Sequence, residues 1–182
     1  AVDSAIVFIE DTLNASITNL PPVICEDFGT FTLVGNPTGG LWFGNGLLNP
    51  GTSNGQYDPN LIPPGGADTI QYIITNPANG CVTTLTETVL IDSLPTASFD
   101  ILPDTAVCIG DVLNINNTSL YATGFEWDFG DGTGSNLPNP VKVYSDTGTF
   151  IIQLIVTSPN GCTDTTTRQV NISEPPVPDF LT

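Results

Sequence analysis

The tripeptide Asn79-Gly80-Cys81 returns as Asn160-Gly161-Cys162, 81 positions later, and its surroundings return with it. Ile74-Thr75-Asn76-Pro77 answers Val156-Thr157-Ser158-Pro159 upstream, and Val89-Leu90-Ile91 answers Val170-Asn171-Ile172 downstream. Cys25 and Cys108 each precede an equivalent apolar run. A chain of 182 residues with such a period is built from repeated units, each with its own core. The junction between units recurs at the front, where Val7-Phe8-Ile9-Glu10 matches Val89-Leu90-Ile91-Asp92 and Ala15-Ser16-Ile17 matches Ala97-Ser98-Phe99. Val177-Pro178-Asp179-Phe180 reads as the first strand of another unit. The expected division is residues 1–17 as the last strand of a preceding repeat and a junction, 18–94 and 95–176 as two domains, and 177–182 as the start of a following repeat, so the chain reads as a stretch of a longer array.

Within each unit the hydrophobic period is two. Thr149, Ile151, Gln153 and Ile155 alternate with Phe150, Ile152, Leu154 and Val156, a run rich in β-branched residues. Thr30–Val34 and Asp111–Ile115 are expected to be equivalent second strands. Turn dipeptides recur between the runs: Asn36-Pro37, Asn45-Gly46, Asn79-Gly80, Asp131-Gly132 and Asn160-Gly161. No segment carries a helical apolar stripe. The fold class is therefore all-β, with about seven short strands per unit, the pattern of an immunoglobulin-like sandwich.

Charge narrows the partners. Nineteen acidic residues face only Lys142 and Arg168, there is no His, and the net charge is -17. Nucleic acid needs clustered cations, and an anionic membrane surface repels such a chain. The acids are scattered, as on a solvated surface. No apolar run is long enough to span a membrane. Without His there is no Ser-His or Cys-His pair for nucleophilic catalysis, so the chain reads as a module that is not an enzyme and needs no cofactor.

Residues 95–176 resemble the PKD (polycystic kidney disease) domain. The resemblance rests on Trp127-Asp128-Phe129-Gly130-Asp131-Gly132-Thr133, followed by Asn139-Pro140, Tyr144 and Gly148-Thr149-Phe150. It implies that Trp127 fills the core and that Gly130 and Gly132 supply the positive φ of the turn. It also places Asp146–Phe150 at a corner, with Phe where Tyr is usual. Residues 18–94 look like a diverged sister, with Trp42-Phe43-Gly44-Asn45-Gly46 in the motif's place. The combination is similar to tandem-repeat surface proteins of Bacteroidota. That likeness implies an extracellular, cell-surface location and a role as a structural spacer of a filament, stalk or adhesin. Neighbouring repeats, and other copies in a filament, would then be the partners. The alternative is a module that binds polysaccharide or protein, with Trp42-Phe43 and Tyr121 as stacking candidates and Trp42 better placed in the core.

The four cysteines, Cys25, Cys81, Cys108 and Cys162, are too widely spaced for a zinc site and lack His; in an exported chain they read as disulfides. Two pairings are open. Within-domain bridges would join Cys25 to Cys81 and Cys108 to Cys162. In a sandwich, however, the second and sixth strands run parallel, which sets the two cysteines of a unit at opposite ends. The other pairing joins Cys25 to Cys162 across the junction and leaves Cys81 and Cys108 to neighbouring units.

Asp128 and Asp131 lack the alternating oxygens of a calcium loop and a third catalytic partner, so they are expected to accept turn amides, with no metal bound. Half of the fourteen Asp precede Ser or Thr, well above a chance share. Six of these continue in a pattern that resembles the Bacteroidota O-glycosylation signal, which marks Ser4, Thr12, Thr69, Ser93, Thr105 and Thr165 as candidates for a glycoprotein. The competing reading is that Asp-Thr starts strands well. Thr84, Thr86 and Thr88, and again Thr163, Thr165 and Thr167, alternate along the last strands; they resemble the Thr rows of ice-binding faces but fit a solvent-facing strand better.

Overall fold

A computed structural model describes residues 13–102 and 107–176. The chain divides into two compact units, Ala1–Asp92 and Ser93–Thr182. Both are immunoglobulin-like β-sandwiches.

In the first unit β1 (Ser16–Ile17), β2 (Val23–Cys25), β3 (Phe31–Thr32), β4 (Gly35–Asn36), β5 (Leu41–Phe43) and β6 (Gln56–Tyr57) are short, while β7 (Ala67–Thr75) and β8 (Val82–Asp92) form a long hairpin. The main sheet has the order β2-β8-β7-β5, faced by the pairs β1-β4 and β3-β6. Alternation decides what is inside. Asp68, Ile70, Tyr72 and Ile74 of β7 point into the core, and the residues between them point outward. Trp42 and Tyr72 pack with ring centroids 4.5 Å apart at the centre of this core.

The second unit repeats the plan with β9 (Phe99–Leu102), β10 (Val107–Cys108), β11 (Leu113–Asn117), β12 (Gly124–Asp128), β13 (Gly134–Ser135), β14 (Val141–Lys142), β15 (Gly148–Thr157) and β16 (Thr163–Ser173). Its two sheets run β10-β16-β15-β12-β13 and β14-β11-β9. Phe99, Ile101, Leu113 and Ile115 from the smaller sheet meet Trp127, Ile152, Leu154 and Val156 from the larger one. Two sheets that each bury one face in this way need no helix, and the described residues hold only a single 3-10 turn, Pro59–Leu61.

Two local expectations differ from the structure. The run Thr30–Val34 is not one strand. The Leu33 amide still bonds Gly55 O in the β3–β6 register (2.8 Å), but the Val34 amide is taken by Asn19 Oδ1 (2.7 Å), which ends the ladder. Residues 13–17, expected in a junction, belong with the first unit: β1 pairs with β4, and Leu13, Ala15 and Ile17 pack against its core. The strands expected at residues 7–10 and 177–180 lie outside the described residues.

Candidate functional site

The motif that carries the second unit is a β12–β13 hairpin held by its own side chains. Trp127 is 2% exposed, meets Phe99 edge-on at 5.0 Å, and donates its indole N–H to Leu137 O at 2.9 Å. Asp128 Oδ1 accepts the Gly130 amide (2.8 Å), and Asp131 Oδ1 accepts the Thr133 amide (3.1 Å) and hydroxyl (2.6 Å). Gly130 has φ +76° and Gly132 φ +82°. At Gly130 a Cβ would also sit 2.7 Å from Ile151 O, so space as well as dihedral excludes a side chain.

Lys142 closes the hairpin. Its ammonium pairs with Asp131, donates to Thr133 Oγ1 at 2.6 Å, and stands 5.2 Å and 5.0 Å from the ring centres of Phe129 and Tyr144. Burial works against the Asp131 charge, but the Lys142 ammonium and the Thr133 hydroxyl and amide outweigh it and hold the carboxyl below its ordinary value. A lowered folded-state value means that this stabilisation is present above pH about 4 and is lost as pH falls through the folded value. Lys142→Met is therefore expected to cost about 1 kcal/mol at neutral pH and to flatten the acid decline of the second unit. Urea unfolding at pH 7 and pH 3 measures both, and an unchanged acid slope would contradict this origin.

In the sister hairpin of the first unit a distant residue does the holding. Asp68 on β7, 1% exposed, accepts the Asn45 amide at 3.1 Å and the Gly46 amide at 2.8 Å. Gly46 lies against the Tyr57 ring, where a Cβ would come within 2.4 Å. The Tyr57 hydroxyl is buried without a hydrogen-bond partner in ordinary geometry. Burial first, and the Asp68 carboxylate second, push its ionisation above the usual phenol range. Tyr144, by contrast, donates to Phe129 O at 2.8 Å and is pushed up to about 12, chiefly by burial. The two phenols should therefore respond oppositely to loss of the hydroxyl. Tyr57→Phe is expected to be neutral or to stabilise by up to about 1 kcal/mol, while Tyr144→Phe costs about that much. Thermal melts of the two variants compare them directly.

Each unit places its two cysteines at opposite ends of one long strand. Cys25 ends β2 and is the parallel partner of Asp92, the last residue of β8, whereas Cys81 immediately precedes Val82, the first. Cys108 partners Ser173 at the end of β16, and Cys162 immediately precedes Thr163 at its start. The expected reason for the separation was a second strand parallel to the sixth. The observed reason is a short strand parallel to the last one. Eleven residues of strand span about 35 Å, against the 4.4–6.8 Å between Cα atoms that a disulfide tolerates. Bridges Cys25–Cys81 and Cys108–Cys162 therefore do not fit these units. Cys25 and Cys162 are both disulfide-bonded. The Cys108 thiol sits 3.9 Å from Glu174 O.

Of the glycosylation candidates, Thr69 and Thr165 are exposed on β7 and β16, and Ser93 is half-buried. Ser4, Thr12 and Thr105 lie outside the described residues. Trp42 is buried, while Phe43 and Tyr121 are exposed. Among the described residues no three His, Cys, Asp or Glu side chains cluster as metal ligands, and no helix is long and apolar enough to cross a membrane.

Residues 93–172 match the PKD domain family model. Collagenase ColA of Clostridium perfringens is 30% identical over 76 residues, which is 39% of this chain and 7% of that protein. The chain thus spans a small fraction of that protein's length. The PKD1 domain of Vibrio anguillarum Epp is 30% identical, with a TM-score of 0.40, over 45% of this chain and 96% of that one. A structure of carbohydrate-binding modules from the β-sandwich superfamily is 26% identical, with a TM-score of 0.43, over 44% of this chain and 35% of that one.

Proposed function

From a PKD domain at residues 93–172 and a sister sandwich before it, we propose that the chain is an extracellular structural spacer of a repetitive cell-surface filament, stalk or adhesin, in which a Cys25–Cys162 disulfide couples one unit to the next. The observation that carries this reading is that Cys25 and Cys162 are both bonded while each lies a strand length from the other cysteine of its own unit. Thiol–disulfide exchange with an oxidised disulfide donor supplies the bridge: two thiolates lose two electrons, and the donor leaves as its dithiol. Such bonds persist in exported proteins. Glycosylation at Ser4, Thr12, Thr69, Ser93, Thr105 and Thr165 belongs to the same reading, with neighbouring repeats as the partners.

A bridge from Cys25 to Cys162 has a mechanical consequence. Tension applied beyond both cysteines runs through the S–S bond and bypasses the stretch of chain between them. Pulled from its ends, the oxidised chain is expected to yield only the segments outside the bridge, β1 and β16 among them, while the stretch from Cys25 to Cys162 does not extend. The reduced chain unfolds both sandwiches and gains about 450 Å of extension. Force spectroscopy with and without reductant reads the difference. Equal extension in the two states would overturn the reading.

A further inference from the structure

The outer face of the main sheet differs between the two units at positions that otherwise correspond. In the second unit Glu126 and Asp128 of β12 stand opposite Ile155 and Gln153 of β15, and these in turn stand opposite Thr165 and Thr167 of β16. In the first unit the same rows are Leu41, Ile73 and Thr84, and Phe43, Gln71 and Thr86. The apolar–Thr and Gln–Thr pairs are thus kept, and two carboxylates are exchanged for exposed apolar side chains, Leu41 at 42% and Phe43 at 36%. Directly opposed residues of one face lie within contact range, so each row presents apolar surface, then an amide or methyl group, then a hydroxyl.

We propose that this face of the first unit binds a neutral polysaccharide. Charge selects the occupant. The chain carries -17, so an anionic polymer or a second copy of the chain meets repulsion, and a neutral one does not. An uncharged surface that mixes an aromatic ring and aliphatic groups with one amide and hydroxyls matches the alternating C–H and hydroxyl surfaces of a sugar chain. The second unit, with Glu126 and Asp128 in the corresponding places, supplies the internal contrast. The proposal does not depend on the spacer role: a spacer can hold a glycan or not.

The test returns the sister's acids to the first unit in the full chain, as the double variant Leu41→Glu, Phe43→Asp, with Ile151→Asp on the second unit's face as a control. All three positions are exposed, and near-ultraviolet circular dichroism confirms that each variant keeps its packing. Depletion on microcrystalline cellulose and chitin, and mobility in gels containing mixed-linkage glucan or galactomannan, report binding; alginate is the anionic comparison. The wild type is expected to bind at least one neutral polymer and not alginate, the double variant to bind at least tenfold more weakly, and Ile151→Asp to bind as the wild type does. Absence of wild-type binding to every neutral polymer would overturn the proposal. So would equal binding by the double variant, or self-association of the wild type that the double variant abolishes, which would assign the face to a second copy.

Discussion

Trp127→Ala is expected to remove about 3–5 kcal/mol from the second unit and to leave the first unit's unfolding midpoint in place. The side chain is 2% exposed, it contacts Phe99, and its indole satisfies Leu137 O, so truncation opens a cavity and strands a carbonyl together. A loss of that size is a large share of what a domain of about 80 residues possesses. The chain holds only two tryptophans, Trp42 in one unit and Trp127 in the other. In the variant, the remaining indole fluorescence reports the first unit alone, while calorimetry reports both. A shift of the Trp42 transition by the same amount would show that the units unfold as one, against their separate cores.

Asp68→Ala is expected to cost the first unit about 3 kcal/mol, far more than a surface Asp. The carboxylate is fully buried and accepts two amides of the Gly44–Gly46 turn, and alanine leaves the buried Gly46 amide without a partner and the part-buried Asn45 amide to solvent. Asp68→Asn keeps one acceptor oxygen but turns an N–H₂ toward the second amide, so an intermediate loss is expected. Denaturant unfolding followed through Trp42 ranks the three proteins. An alanine variant as stable as the wild type would mean that the turn is held by its glycines alone.

These two residues also mark how far the sequence could be read. Trp127 and its turn were legible because their chemistry is local: a core aromatic, two glycines that need positive φ, and carboxylates that reach amides two residues on. Asp68 was not legible in its structural role. Its partners lie more than twenty positions away, and the dipeptide was read for Thr69 as a glycosylation candidate instead. Strand alternation buries Asp68 and Ile70 and leaves Thr69 between them exposed. Lys142 was noted only as one of two cations, since nothing local ties it to Asp131 eleven residues back.

The period-two pattern marked β15 and the Thr-alternating strands β8 and β16. It overran at Thr30–Val34, where a side chain from Asn19 displaces the ladder. The short strands β2 and β10 escaped notice because two or three residues carry no periodicity, yet they decide the cysteine geometry: the parallel registers Cys25–Asp92 and Cys108–Ser173 set each cysteine at the far end from its unit's other one.

Peptide mapping of the non-reduced chain tests the covalent coupling of the two units most directly. After proteolysis without reductant and with free thiols capped, a disulfide-linked pair of peptides containing Cys25 and Cys162 is expected, in a molecule that runs as a monomer. Linked peptides Cys25–Cys81 and Cys108–Cys162 would contradict it and leave two sandwiches closed on themselves.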